Sequence, residues 1–78
     1  MRKILITGSL GQIGTELTMF LRNQYGNDNV IASDLSNNGP ENVMNSGPFE
    51  QLDILDSKKM AEVCDKYKVN TIVNLAAL

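Results

Sequence analysis

The chain has 78 residues, of which 42% are apolar, a net charge of −2, no histidine and a single cysteine, Cys64. This composition is ordinary for a globular protein and allows one small domain over residues 1–78. A lone cysteine excludes a disulfide framework within the chain and favours a reducing compartment, the cytoplasm. The sequence has no basic cluster that would attract nucleic acid. The opening apolar run at 4–6 is too short for a signal sequence or a membrane span.

The N-terminal residues follow the pattern of a strand, a tight turn and a helix. A buried parallel strand is predicted at 3–7, because its apolar residues are consecutive rather than alternating. Gly8, Gly11 and Gly14 follow at a spacing of three. An amphipathic pattern then predicts a helix over 12–25, which Gly26 ends.

Each of the three glycines has a separate physical reason in such a turn. A β-carbon would forbid the backbone conformation expected of Gly8. Its absence at Gly11 lets a ligand approach the main chain, and its absence at Gly14 lets the helix lie near the strand. The free N–H groups and the positive dipole end of the helix then face the space over the turn, where pyrophosphate is the usual occupant. A tight strand-to-helix turn without a ligand is the alternative.

The rest of the chain alternates strand-like and helix-like patterns. Further strands are predicted at 30–34, 49–53 and 71–75, and a second helix begins after Asp56, a good N-cap. The polar stretch 35–48, rich in Asn, Gly and Pro, is predicted to be a mobile surface loop. The order β-α-β-loop-β-α-β predicts an α/β fold with a parallel sheet and right-handed crossovers.

Apolar residues recur at helical spacing on one face of each predicted helix. In the first helix the predicted core-facing stripe consists of Ile13, Leu17, Phe20, Leu21 and Gln24. Gln24 is its one polar residue and lies at its C-terminal end. In the second it consists of Met60, Val63, Cys64 and Tyr67. Cys64 is therefore interpreted as a core residue rather than a nucleophile.

Asp34 ends the second strand, twenty residues after Gly14. A dinucleotide-binding fold places an acid there to accept hydrogen bonds from the adenosine ribose hydroxyls. Because a carboxylate would repel the 2′-phosphate of NADP, and no Arg or Lys lies next to it, the pattern favours NAD. A loop-capping aspartate is the alternative.

Two further aspartates, Asp53 and Asp56, lie three residues apart after the third strand. No feature of the sequence gives them the different environments that an acid–base pair would require, and Asp56 is explained as a helix cap. Asp53 lies at the carboxyl edge of the sheet, where open α/β sheets bind ligands. It could accept a hydrogen bond from an adenine amino group, with the Ile54 N–H nearby as a donor; a purely structural role is equally compatible with the spacing.

Four motifs together resemble those of the extended short-chain dehydrogenase/reductase superfamily, the group of nucleotide-sugar epimerases and dehydratases. They are T-G-x-x-G-x-x-G at 7–14, the acid Asp34, the pair Asp53-Ile54 and x-L-A-A at 74–77. Within that superfamily the stretches 8–17 and 25–30, with 46–50 and 52–53, are similar to the epimerase-like, NAD-dependent L-threonine 3-dehydrogenases.

The resemblance implies that the α/β fold is the N-terminal part of a Rossmann-type doubly wound parallel sheet with strand order 3-2-1-4. It also implies a cofactor role for eleven residues. The pyrophosphate would be cradled by Gly8, Gly11 and Gly14 with the main chain of Gln12 and Ile13. The adenosine ribose would be held by Asp34, and adenine would contact Asp53 and Ile54. On the far side of the first strand, the cofactor would be lined by Leu75, Ala76 and Ala77.

The same resemblance implies an activity and partners for a longer protein. The small-molecule substrate would be threonine, whose side-chain hydroxyl is oxidised to 2-amino-3-oxobutanoate while NAD accepts a hydride. A homodimer is implied for the full-length protein, and neither nucleic acid nor a membrane is an expected partner. A nucleotide-sugar epimerase or dehydratase, or a non-catalytic NAD-sensing module, are the alternatives.

Two departures from the family pattern stand out. Asn74 occupies a position where relatives more often have histidine. The catalytic Tyr-x-x-x-Lys pair is missing, since Tyr25 is followed four residues later by Asn29 and Tyr67 by Thr71. We therefore expect an N-terminal portion of an enzyme that binds the cofactor and contains no catalytic residue.

Overall fold

A computed structural model describes residues 2–76. In this range four strands form one parallel sheet in the order β3-β2-β1-β4. The strands are β1 (Ile4–Thr7), β2 (Val30–Asp34), β3 (Phe49–Gln51) and β4 (Thr71–Asn74). The α-helices are α1 (Gln12–Tyr25), α2 (Glu41–Ser46) and α3 (Ser57–Tyr67), and a 3-10 turn, Asn27–Asn29, precedes β2. The predicted α/β fold of Rossmann type and its strand order are confirmed.

The core lies on both faces of the two central strands, β1 and β2. Side chains alternate between the faces of a strand, so Leu5 points to one face and Ile4 and Ile6 to the other. The first face packs against α3 in a cluster of Leu5, Ile31, Leu52 and Val63, joined by Met60, Cys64 and Tyr67. The second packs against α1 in a cluster of Ile4, Ile6 and Val30, joined by Leu21. The predicted core face of the helix after Asp56 is confirmed.

The buried face of α1 agrees with the predicted one only in part: Leu21 packs against the core and Leu17 is half-buried, whereas Gln24 is exposed. Gly14, Thr18 and Arg22 are its buried residues, whereas Ile13 and Phe20 are 72% and 59% exposed. A β-carbon on Gly14 would lie 2.2 Å from the carbonyl oxygen of Gly8, so the helix backbone itself lies against the turn. This close approach turns Gly14 inward and leaves Ile13 and Phe20 outside, while the long Arg22 side chain lies buried on the same face as Gly14.

The stretch 35–48 is not the irregular loop that its composition predicts, because residues 41–46 form α2. A helix this short is not stable alone, since isolated helices below about 12–15 residues are marginal in water. The Arg22 side chain supports it: the guanidinium donates hydrogen bonds to the carbonyl oxygens of Val43 (2.7 Å) and Pro48 (2.7 Å) and to Ser46 Oγ (3.0 Å). A fourth bond, to the carbonyl oxygen of Val30 (3.1 Å), ties the same group to β2.

The predicted cap of α3 is present, since Asp56 Oδ1 accepts a 3.0 Å hydrogen bond from the Lys59 N–H. The observed strands β3 and β4 end two residues and one residue earlier than predicted. Among the helices of residues 2–76, none is both long enough and apolar enough to cross a membrane.

Candidate functional site

Two clefts lie at the carboxyl edge of the sheet. The larger, of about 460 Å³, is lined by the predicted residues Gly8, Gly11, Asp34, Asp53, Ile54, Leu75 and Ala76. The smaller, of about 370 Å³, lies at the start of α1 and is lined by Gly8, Gly11, Gln12, Ile13, Gly14 and Leu75. The clefts share two glycines and a leucine, so they form one continuous surface. All predicted site residues line it except Ala77, which lies outside the described residues.

The glycine turn combines tight packing with one open position. Gly8 has a φ of +71°, and a β-carbon there would lie 2.7 Å from the Ala76 nitrogen. Gly14 is as crowded, for the reason given above. At Gly11 the nearest atom to a β-carbon would be the Gly8 carbonyl oxygen, at an ordinary 3.8 Å. Packing within the protein therefore requires glycine at Gly8 and Gly14, whereas the bare main chain at Gly11 faces open space.

The first turn of α1 is suited to an anion. Gly11 is the N-cap and offers no side chain to accept hydrogen bonds, and the first turn contains no acidic residue. The first N–H groups of a helix have no partner within it, and the helix dipole gives this end a partial positive charge. Gln12 and Ile13 are exposed at the smaller cleft. Their N–H groups are thus available to a phosphate.

Asp34 is fixed in orientation beside this turn. Its Oδ2 accepts a 3.0 Å hydrogen bond from the Leu10 N–H, and its Oδ1 accepts one of 3.2 Å from the Ser36 N–H. Each carboxylate oxygen has a second lone pair for another donor. The half-buried side chain can therefore hold the turn and still accept bonds from a ligand hydroxyl.

Asp53 shapes the turn between β3 and α3. Its Oδ1 accepts a 2.9 Å hydrogen bond from the Leu55 N–H, and its carbonyl oxygen accepts one of 2.9 Å from the Asp56 N–H. The side chain is nevertheless exposed at the larger cleft. The structural role of Asp53 is thus visible, and it leaves the carboxylate within reach of a ligand.

Sequence reasoning missed three leucines that line the larger cleft, Leu35, Leu52 and Leu55. Leu52 is buried, whereas Leu35 and Leu55 are exposed on the cleft. The Gln51 side chain donates a 2.8 Å hydrogen bond to the Leu35 carbonyl oxygen and fixes that segment. The three leucines make the end of the cleft next to Asp53 apolar, which suits a flat, weakly polar group. Leu35 has a sequence signal, because it directly follows Asp34 at the end of β2.

The opposite wall is formed by the end of β4. The Leu75 N–H donates a 3.0 Å hydrogen bond to the Thr7 carbonyl oxygen and so extends the pairing of β1 with β4. Asn74 Oδ1 accepts bonds from the Thr7 hydroxyl (2.6 Å) and the Ala76 N–H (3.2 Å). This wall passes directly over Gly8.

These features fit a dinucleotide. The open main chain at Gly11 and the uncapped start of α1 suit a pyrophosphate. The fixed acid Asp34 suits a ribose, and the apolar end of the larger cleft suits a base. All three lie on one continuous surface, in the order in which a dinucleotide would present these groups.

Comparison with known proteins also supports a dinucleotide-binding site. The model of the NAD dependent epimerase/dehydratase family matches residues 4–78. An uncharacterized epimerase/dehydratase of Staphylococcus saprophyticus is 47% identical over all 78 residues, which cover 24% of that protein. L-threonine dehydrogenase from Clostridium difficile superposes with a TM-score of 0.91 at 54% identity, over 100% of this chain and 24% of that one. UDP-glucose 4-epimerase from Brucella ovis in complex with NAD superposes with a TM-score of 0.82 at 26% identity, over 100% and 23% of the two chains.

The chain thus spans about a quarter of the length of the relatives that it matches. Within that quarter the fold, the glycine turn and the cleft edge agree with the resemblance drawn from the four sequence motifs. NAD is the cofactor of the family. The chain belongs to the NAD dependent epimerase/dehydratase family.

Proposed function

We propose that this chain is the NAD-binding part of an L-threonine 3-dehydrogenase. The observation that carries the proposal is that identity to the threonine dehydrogenase of Clostridium difficile is about twice the identity to the UDP-glucose epimerase, over the same residues. The full-length protein would oxidise the side-chain hydroxyl of threonine to 2-amino-3-oxobutanoate. It would act as a homodimer, which sedimentation of the full-length protein tests.

Different residues of the two clefts bind different parts of the cofactor. Gly8, Gly11 and Gly14 and the N–H groups of Gln12 and Ile13 hold the pyrophosphate. Asp34 accepts hydrogen bonds from the adenosine ribose. Adenine lies at the apolar end of the larger cleft, against Asp53 and Ile54 with Leu35 and Leu55. The wall opposite is formed by Leu75 and Ala76 and, on the resemblance alone, Ala77.

The charge of this site favours NAD over NADP. Asp34 places a carboxylate where the 2′-phosphate of NADP would lie, and two negative groups repel each other in a partly buried site. When bound, NAD supplies the hydride acceptor. The residues of this chain bind and orient the dinucleotide, and the tyrosine and lysine that would act on the substrate hydroxyl belong to the remainder of the protein.

A nucleotide-sugar epimerase or dehydratase is the second candidate. It is favoured by the description of the Staphylococcus relatives as epimerase/dehydratases. Such an enzyme would return the hydride to its substrate and accumulate no NADH. A non-catalytic NAD-sensing module is the third candidate, which predicts binding without turnover.

One assay of the full-length protein separates the candidates. The protein is incubated with NAD and either L-threonine or UDP-glucose, and both NADH absorbance and sugar products are followed. We expect NADH to form with threonine and no sugar product to form. Sugar conversion without net NADH would overturn the dehydrogenase in favour of the epimerase, and calorimetric binding of NAD without turnover of either substrate would favour the sensing module.

A further inference from the structure

We propose that Asn74 is a positioning residue for the NAD site, acting through Thr7 and Ala76 to set the wall that passes over Gly8. The inference rests on the proposed binding of NAD by this chain. Asn74 lines neither cleft, so it would tune the affinity for the cofactor without touching it.

Two donors converge on one atom of Asn74. The Thr7 hydroxyl lies 2.6 Å from Oδ1 and the Ala76 N–H lies 3.2 Å from it. Because a main-chain N–H can only donate, the atom that faces Ala76 is the carboxamide oxygen and not its NH2 group. The same oxygen therefore links the last residue of β1 to the second residue after the end of β4.

The Thr7 hydroxyl depends on this link. Thr7 is 1% exposed, and a buried hydroxyl without a partner is costly. Its hydrogen bond with Asn74 lies across the β1–β4 pair, in which the two residues face each other in register. Removing the Asn74 oxygen would thus release two donors at once, one of them buried.

The position of Ala76 matters because it lies against the glycine turn. A β-carbon on Gly8 would lie 2.7 Å from the Ala76 nitrogen and 2.8 Å from the Leu75 carbonyl carbon. The turn and this wall are therefore in direct main-chain contact, and a shift of Ala76 changes the space over Gly8. Since Gly8 and Ala76 both line the larger cleft, such a shift would change the affinity for the bound dinucleotide.

The strand pairing itself does not depend on Asn74. The hydrogen bond from the Leu75 N–H to the Thr7 carbonyl oxygen, at 3.0 Å, is made by main-chain atoms. The register of β1 with β4 over the four preceding pairs is likewise a main-chain feature. We therefore expect substitution of Asn74 to leave the sheet in place and to loosen only the segment after it.

The test compares NAD binding by variants of the full-length protein in isothermal titration calorimetry. Asn74→Leu removes the acceptor at similar volume, and Thr7→Val removes one donor at similar shape. Each should raise the Kd for NAD by about two- to tenfold, the range expected for the loss of one net hydrogen bond. The Kd of the double variant for NAD should not exceed the higher of the two single-variant Kd values, because both changes break the same link. Thr7→Ser, which keeps the hydroxyl, should bind NAD as the wild type does.

Two further readouts separate positioning from general damage. At saturating NAD the kcat of each variant should stay within about twofold of the wild type, because the link acts on binding of the cofactor. Asn23→Leu makes the same chemical change on the exposed face of α1 and should leave the Kd unchanged.

The outcomes are distinguishable. Wild-type protein that does not bind NAD would overturn the proposed function itself. If the wild type binds NAD, an unchanged Kd in Asn74→Leu, or additive effects in the double variant, would overturn the role of Asn74 alone. Should Asn74→Leu fail to fold, Thr7→Val decides in the same way, since it leaves Asn74 in place.

Discussion

The Leu10 N–H donates a 3.0 Å hydrogen bond to Asp34 Oδ2, so the glycine turn is tied to the acid that ends β2. The Ser36 N–H holds the other carboxylate oxygen at 3.2 Å. The two interpretations that the sequence left open for Asp34, a loop cap and a ribose acceptor, are therefore compatible. The cap fixes the carboxylate, and each of its oxygens keeps a second lone pair for another donor.

Asp34→Asn should weaken NAD binding by about tenfold or more in the full-length protein. An amide has one oxygen where the carboxylate has two, so an NH2 group would face either Leu10 or Ser36, and hydrogen bonds to a charged acceptor are the stronger ones. The preference for NAD over NADP should also shrink, because the charge that repels the 2′-phosphate is gone. Calorimetry with both dinucleotides measures this.

Asp28→Asn is the matched control for Asp34→Asn, since it removes the same charge from the exposed 3-10 turn. It should leave both affinities unchanged. Equal NAD affinities of Asp34→Asn and the wild type would contradict the ribose role of Asp34.

Gly11 and Gly14 should respond to substitution in opposite ways. Gly11→Ser fits the space and the extended backbone of the N-cap, and serine is a good cap, so thermal stability should hold or rise. Its hydroxyl would bind the N–H groups that a pyrophosphate needs, and the Kd for NAD should rise at least about tenfold. Gly14→Ala would place a methyl group 2.2 Å from the Gly8 carbonyl oxygen and should lower the melting temperature markedly. A loss of stability in Gly11→Ser with unchanged NAD binding would contradict the anion role of the turn.

Arg22→Met should release α2. The substitution removes the Arg22 donor to the Val43 carbonyl oxygen and one of the two donors to the Pro48 carbonyl oxygen, which keeps its bond from the Ala32 N–H. A buried group left unpaired costs about 1–3 kcal/mol. We expect hydrogen exchange of the amides of residues 41–46 to accelerate at least about tenfold in the full-length protein, with a smaller effect in Arg22→Lys. Lys58→Met, at an exposed site of α3, is the control. Unchanged protection of α2 would show that Arg22 does not support it.

The strands and their parallel pairing were predictable because their causes are local, whereas the strand order was implied by the family resemblance. The consecutive apolar residues of β1 and β2 indicate strands buried on both faces, and alternation with helices indicates a parallel sheet. The bounds of α1 follow from Gly11 and Gly26, which flank it in the sequence. These patterns lie within a few residues of the structure that they specify.

The core face of α1 and the existence of α2 depend on contacts between distant residues. The inward face of α1 is set by the main-chain approach at Gly14 and by the buried Arg22, and it leaves Ile13 and Phe20 exposed. The helix α2 depends on a guanidinium from α1, about twenty residues away in the sequence. No periodicity in residues 35–48 reports that interaction.

The candidate site was predictable where its residues form motifs. The glycine turn and Asp34 are recognised by spacing, and the topology brings them to one edge of the sheet. Leu35 and Leu55 were missed because an apolar residue near a strand end looks like a core residue. Only the structure shows that these two side chains are exposed on the cleft. The binding roles of all these residues stay predictions.

Glu50, Lys66 and Tyr67 form a titratable cluster that ties α3 to β3. Glu50 Oε2 accepts hydrogen bonds from the Tyr67 hydroxyl (2.5 Å) and Lys66 Nζ (2.9 Å). Burial alone would raise the pKa of Glu50, but these hydrogen bonds and the charge of Lys66 together hold it below its ordinary 4.5. Burial, with the bond to Glu50, raises the pKa of Tyr67 above its ordinary 10.0.

This cluster should make the attachment of α3 pH-dependent. A carboxylate whose pKa is lowered by folding stabilises the folded state above 4.5, and this stabilisation is lost as the pH falls through the lowered value. The raised pKa of Tyr67 gives the opposite limit, since its contribution is present below 10.0 and is lost as the pH rises through the raised value. Glu50→Gln should therefore speed hydrogen exchange of residues 57–67 relative to the wild type near neutral pH, and this difference should vanish well below pH 4.5. Glu62→Gln, an equal charge change on the exposed face of α3, should show no such difference. A Glu50→Gln effect that persisted undiminished in acid would show that the carboxylate charge does not hold the helix.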